Sequence, residues 1–359
     1  MKDKFIALDY LRGMAAIFVV LLHARWSGSF QELMFIQNSY LFVDLFFILS
    51  GFVIYHSYRG RLTGCADFFS FVKARVARLY PLHLLVLFFF LIFESLKWYL
   101  QTYYSMSSNN LAFVGRNSFD GLLENLMLIQ AIGLFPTSSW NGPSWSISAE
   151  FWTYILFAFC VLSSRVIFKR QVFFLIVSFF FYVITYKVEG SLSYEGVFRC
   201  IAGFSLGVYC YKVRGVFFKY KNTEFLLTFT VLVIVFLLSV KPVKSQFDFI
   251  LPFLFSILIL LTSKIDRLGS ETILDRFLNT LGQLSYTMYM IHAAIIFLFS
   301  NILKRILGFE SDGFSIDLVS VSNSIFVSFI YLFFVVLISY IVNRKFEIPM
   351  NKKIKSIKV

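Results

Sequence analysis

Charge is scarce in this chain, and so are proline, cysteine and histidine. Charged residues make up 15% of the sequence and hydrophobic residues 58%, where soluble domains hold roughly 25% and about 45–50%. A water-soluble core has no room for 48 phenylalanines in 359 residues, so most of the surface must face lipid; the mean hydropathy of +0.76 agrees. The four cysteines, Cys65, Cys160, Cys200 and Cys210, have neither paired nor metal-like spacing. That excludes a disulfide framework and a cysteine-built metal centre, and they read as small hydrophobes, Cys65 in a loop and the others in helices. No repeat of 20–50 residues is present. Neither end carries a soluble domain, so residues 1–359 are expected to form one integral-membrane domain.

What the chain does have is long apolar runs. A membrane helix needs about 20 mostly apolar residues, with a range of about 17–25. Ten stretches qualify: 5–25, 38–58, 81–100, 148–163, 170–187, 194–212, 225–240, 247–262, 281–303 and 318–343. The expected fold is therefore all-α and polytopic. The first stretch resembles a signal peptide, but Asp9 and Arg12 interrupt its apolar part and no small-residue cleavage site follows, so it is read as a retained span. Segment 118–132 is too short and polar to cross and is expected to be an interfacial or re-entrant helix. The outward stretch 101–147 is rich in Ser, Asn, Gly and Trp, which suits a fold-back over the membrane or contact with a polar ligand.

Lysine and arginine sort unevenly between the two sides. With the N-terminus inside, 23 of the 33 fall at cytoplasmic ends and 8 on the opposite side, leaving Arg12 and Arg199 within spans. This asymmetry predicts an even number of crossings with both termini cytoplasmic. It also accounts for the net charge of +13 without nucleic acid. The basic tail reads as an anchor near anionic lipid.

A charge at the bilayer centre costs about 2.5–3.5 kcal/mol on insertion scales, so each one needs a partner or a task. Arg12 and His23 are eleven residues apart, which puts them on one helical face about 16 Å apart along the axis. Asp9, one turn from Arg12, is its natural partner. Asp44 sits among apolar neighbours, with a structural ion pair to Arg12 or Arg199 and an active-site role equally open. Ser50 and Gly51 offer a small notch for a neighbouring helix. In "FVKARVARLYPLHLL", Arg75 and Arg78 are one turn apart with Pro81 closing the segment, a spacing suited to clamping phosphate. Glu150 follows Trp145 and Ser146 where the chain enters lipid, and suits a base, a hydroxyl acceptor or a salt-bridge partner. Ser285, Tyr289 and His292 share one face.

Taken in order, these elements resemble the acyltransferase 3 family of integral-membrane acyltransferases. The resemblance rests on Arg-x10-His (Arg12, His23), Phe-Phe-x-x-Ser-Gly-Phe (Phe46, Phe47, Ser50, Gly51, Phe52) and Arg-x-x-Arg-x-x-Pro (Arg75, Arg78, Pro81). Trp-Ser-x-x-x-Glu (Trp145, Ser146, Glu150), Ser-Tyr-x-x-Tyr-x-x-His (Ser285, Tyr286, Tyr289, His292) and Glu-x-Pro (Glu347, Pro349) complete it. It implies transfer of an acyl group, usually acetyl, from cytoplasmic acyl-coenzyme A to a hydroxyl of a cell-surface or lipid-linked carbohydrate, in the inner (plasma) membrane. It implies no permanently bound cofactor and no metal, and a stand-alone member without an extra extracytoplasmic domain. On this reading His23 is the base, with Glu150 or Asp44 orienting or relaying. Arg12, Arg75 and Arg78 serve the donor, and Asp9, Ser50, Trp145, Ser146, Tyr289 and His292 support substrate or structure. The alternative is a transporter of glycans or organic anions, against which stands the lack of an inverted repeat.

Overall fold

The computed structural model describes residues 5–24, 29–105, 110–132, 140–163, 171–187, 192–217, 222–265, 272–307 and 324–357. Parts of several predicted stretches lie outside these residues: Arg25, 318–323, and pieces of the outward stretch 101–147 and of the basic connections 163–171 and 263–281.

Among the described residues the regular elements are helical and no strand occurs. In hydrocarbon a backbone N–H or C=O left unpaired costs several kcal/mol, and a helix pairs its own. The helices are α1 (Ile6–Leu22), α2 (Phe42–Tyr58), α3 (Cys65–Tyr104), α4 (Phe119–Met127), α5 (Trp145–Ser163), α6 (Gln171–Lys187), α7 (Leu192–Phe217), α8 (Thr223–Val240), α9 (Ile250–Ile265), α10 (Ile273–Leu307), α11 (Ser324–Val342) and α12 (Ile348–Ser356). Each predicted span falls on one of them. Among the described residues, seven helical stretches are long and apolar enough to cross a membrane. The others are shorter or more charged: α1 and α6 have 17 residues each, and α7 carries Arg199, Lys212 and Arg214.

One boundary differs from expectation. The basic stretch read as a loop is helical from Cys65, and Pro81 lies inside the 40-residue α3 instead of closing a segment. Lys and Arg are good helix formers. Charge marks where lipid ends, not where the helix ends. Pro81 removes one backbone donor without breaking the helix.

Two parallel helix pairs organise the bundle. Gly13 of α1 lies against Leu281 and Gly282 of α10, Gly282 lies against the Asp9 backbone, and farther along His23 meets His292. In α2 and α7, Gly51 faces the Phe204 backbone and Gly207 faces the Ile48 carbonyl. A Cβ at either glycine would overlap that backbone, so the predicted Ser50–Gly51 notch is a helix contact. Neighbours in sequence run antiparallel: Phe18 stacks on Phe42 while Phe5 meets Phe52. Both described ends lie at one end of the bundle. Phe5 touches His56 near the end of α2, and the Ile357 carbonyl accepts from Lys73 near the start of α3.

Segment 118–132, expected to be interfacial or re-entrant, is a short helix and turn that descends along α3. At its upper edge Asn117 Nδ2 and Phe113 N donate to the Glu94 carboxylate at 2.8 and 3.0 Å. Lower down, His83 Nε2 donates to the Asn125 carbonyl at 2.8 Å and Tyr80 donates to the Leu126 carbonyl. Glu94 and His83 are eleven residues apart in α3, about 16 Å of helix axis. Leu128 then takes a left-handed conformation (φ 54°). Its carbonyl is satisfied by Trp152 Nε1 at 2.7 Å and Ser148 Oγ at 2.6 Å.

Candidate active site

A cavity opens among α1, α2, α3, α5 and α10. Its polar lining comes from Arg12, Ser50, Arg78, Ser146, Glu150, Ser285, Tyr286 and Tyr289, and Val43, Phe46, Phe47 and Ile147 supply apolar wall. Residues from five separate sequence elements thus converge on one space. At its centre Glu150 accepts from the Ser50 and Tyr154 hydroxyls, so the acid is held from α2 and from its own helix one turn on. At one end Arg78 pairs with Glu347 at 2.5 Å and lies over the Tyr286 ring at 5.1 Å. Glu347 is 2% exposed and also accepts from Thr287 Oγ1 (2.5 Å) and Asn343 Nδ2 (2.9 Å). It closes a π-helical turn, Asn343–Glu347, that joins α11 to α12. At the other end Tyr289 donates to the Pro143 carbonyl at 2.9 Å and accepts from Ser146 Oγ at 2.7 Å.

Arg12 lines the cavity and forms no ion pair among the described residues. The expected Asp9 partnership is therefore not formed. The Asp9 backbone and Cβ instead lie against Gly282 of α10. Asp44 also departs from the catalytic reading. It is fully buried and makes a bidentate pair with Arg199, Oδ1 to Nε at 2.8 Å and Oδ2 to Nη2 at 2.6 Å. Arg199 Nη2 donates to the Tyr40 carbonyl at 3.1 Å as well. Of the two roles left open, the structure builds the ion pair, and the carboxylate faces α7 instead of the cavity.

His23 caps the C-terminus of α1, beyond the cavity lining, with its ring 4.7 Å from that of His292. His23 Nδ1 lies 2.8 Å from the Val19 carbonyl and His292 Nδ1 lies 3.2 Å from the Met288 carbonyl. A carbonyl only accepts, so Nδ1 is the donating nitrogen in both contacts. His292 is fully buried, and among the described residues its Nε2 has no hydrogen-bond partner. Tyr289, one turn before His292, links the cavity to this pair, with ring centroids 5.9 Å apart. Arg75 sits just outside the cavity. Its guanidinium lies 5.6 Å from the Tyr58, Phe71 and Tyr154 rings. Trp145 packs edge-on to Phe47 and fills the space left by Gly196.

The reach of these motifs along the chain decides the family. The sequence profile of the acyltransferase 3 family, described as an acyltransferase domain, matches residues 5–344. The chain belongs to the acyltransferase 3 family. Two relatives match shorter pieces. A Rhizobium radiobacter protein named protein 2 in picA locus is 48% identical over 86 residues, 24% of this chain and 43% of that protein. Acyltransferase MdmB of Streptomyces mycarofaciens is 36% identical over 117 residues, 32% of this chain and 26% of that protein. The matches thus span less than half the length of either relative. No solved structure matches.

In this acyltransferase 3 chain, sequence reasoning missed Tyr154, and it missed the partnership of Glu347 with Arg78 and Thr287. An acid at the end of the last span, inside the basic stretch "NRKFEIPMNKK", was the available signal for Glu347. Tyr154 carried the weaker signal of lying one turn from Glu150.

Proposed function

We propose that this protein transfers an acyl group, acetyl in the simplest case, from cytoplasmic acyl-coenzyme A to a hydroxyl of a cell-surface carbohydrate. We read it as a ten-span protein of the inner membrane with both termini in the cytoplasm. The observation that carries the reading is the alignment of chemistry along α1 and α10. Cations stand at one end of the cavity (Arg12, Arg78), hydroxyls and a carboxylate line it, and two imidazoles stand just beyond. Anionic donor and neutral acceptor call for different surroundings, and the two ends of this path differ in that way.

An alcohol attacks a thioester only as its proton leaves. His23, with Nδ1 committed to Val19, presents Nε2 as the base. The acceptor oxygen bonds to the thioester carbon, its proton passes to Nε2, the C–S bond breaks, and the thiolate departs and takes up a proton. Arg12 holds the anionic part of the donor, and its separation from His23 of about 16 Å along the helix suits an extended thioester arm. Glu150, held by Ser50 and Tyr154, orients the acceptor or the departing thiol. Asp44 acts at one remove by fixing α2.

The test is to reconstitute the protein in liposomes with labelled acetyl-coenzyme A on one side and a glycan acceptor on the other. The expected result is free coenzyme A on the donor side and label on the glycan. Passage of intact label without thioester cleavage would establish transport and overturn the reading.

A further inference from the structure

The C-terminal basic helix, read from sequence as a lipid anchor, is docked on the helix that carries Arg75 and Arg78. Two contacts fix it. Glu347, immediately before α12, pairs with Arg78, and the Ile357 carbonyl, immediately after it, accepts from Lys73. Contacts at 78 with 347 and at 73 with 357 run α12 antiparallel along the first turns of α3. Lys355 then falls within electrostatic reach of both Arg75 and Arg78.

This places cation on cation. Among the described residues Arg75 pairs with no carboxylate. It is held by aromatic faces and a 3.4 Å contact to the Tyr58 hydroxyl, and its Nε is buried without a hydrogen-bond partner among the described residues. Glu347 balances Arg78 alone, which leaves Arg75 and Lys355 as like charges that repel. A ligand with several negative charges offsets that repulsion, and a planar guanidinium already held in place loses little freedom on binding phosphate. We propose that Lys355 of α12 joins Arg75 and Arg78 in a composite site for the phosphate-bearing nucleotide end of the acyl donor, at the mouth of the cavity. This rests on the donor reading above and adds the C-terminal helix to it.

Phosphate groups also occur in lipid headgroups, so the test separates the two sources. Full-length protein in nanodiscs of phosphatidylcholine alone, and in nanodiscs containing anionic lipid, is titrated with coenzyme A and with adenosine 3′,5′-bisphosphate. Lys355→Gln is expected to weaken both ligands about fivefold at low salt, in both lipid settings. Lys353→Gln, on the opposite side of α12, is the control and is expected to change neither. Equal affinity in wild type and Lys355→Gln overturns the composite site while leaving the donor reading intact. An equal loss in Lys353→Gln, or an effect confined to anionic nanodiscs, also overturns it, in favour of diffuse tail charge or lipid binding. Absence of coenzyme A binding in the wild type overturns both readings.

Discussion

Helices α2 and α7 pack in parallel across glycines and bury Asp44 against Arg199. Helices α1 and α10 pack in parallel across Gly13 and Gly282 and carry Arg12, His23 and His292. The scaffolds match, but the polar groups differ in how they are satisfied. Asp44 and Arg199 consume each other's hydrogen bonds, with the Tyr40 carbonyl taking another. Among the described residues Arg12 faces a cavity without an ion-pair partner, and His292 Nε2 is buried without a hydrogen-bond partner. The closed pair stabilises the fold only as a pair. Open polar groups in an interior cost stability, and on the proposed function Arg12 is kept for the donor. The residue type, a charge in a span, is the same in both; the partner count separates architecture from chemistry.

That contrast can be broken in three ways. Removing one half of the closed pair has the largest expected effect. Asp44→Ala strands Arg199 in the interior, at about 3–5 kcal/mol, read as a loss of folded protein and a lower melting temperature in detergent. The double change Asp44→Leu with Arg199→Met is expected to recover most of it. A tolerated single change would mean that the pair is not closed. Next is His23→Gln. Transfer is expected to fall at least about a hundredfold, with the melting temperature unchanged, because the amide keeps a polar contact but cannot take the proton. Full activity in a well-expressed variant would remove His23 from the chemistry. Smallest is Arg12→Ala. Donor affinity is expected to fall about tenfold, while stability holds or rises, the opposite sign to Asp44→Ala. A lower melting temperature in Arg12→Ala would place Arg12 with the architecture.

The spans were legible because hydrocarbon imposes one rule on every crossing, and each predicted stretch lies on a helix. Arg12, Ser50, Arg78, Glu150 and Tyr289 were legible as polar groups in or beside apolar runs, and the structure brings them to one cavity. Other features were not. The helical state of residues 65–80 was hidden because hydropathy reports solvent, and a charged helix outside lipid looks like a loop. The choice of Arg199 over Arg12 for Asp44 was hidden because it depends on α7 lying against α2, a contact 155 residues away in sequence. The Arg78–Glu347 pair spans 269 residues, and no periodicity carries information over that distance.

Segment 118–132 has a consequence for the membrane around it. Asn125 bonds to Ser144 Oγ at 3.3 Å and to His83 through its carbonyl, and Asn141 bonds to the Met290 carbonyl at 3.1 Å. Polar chain therefore sits level with the middle of α3 and α10, while Phe119, Leu123 and Met127 of α4 stay exposed on its outer side. Such irregular backbone survives at this depth only because Trp152, Ser148, Tyr80 and His83 cover its carbonyls. The apolar layer between the two ends of the bundle is shortened here, because polar chain reaches the level of Met290, two residues from His292. On the proposed function, an acyl group passing here has less than the roughly 30 Å of a lipid core to cross, and the protein acts on it as a local thinning of the barrier.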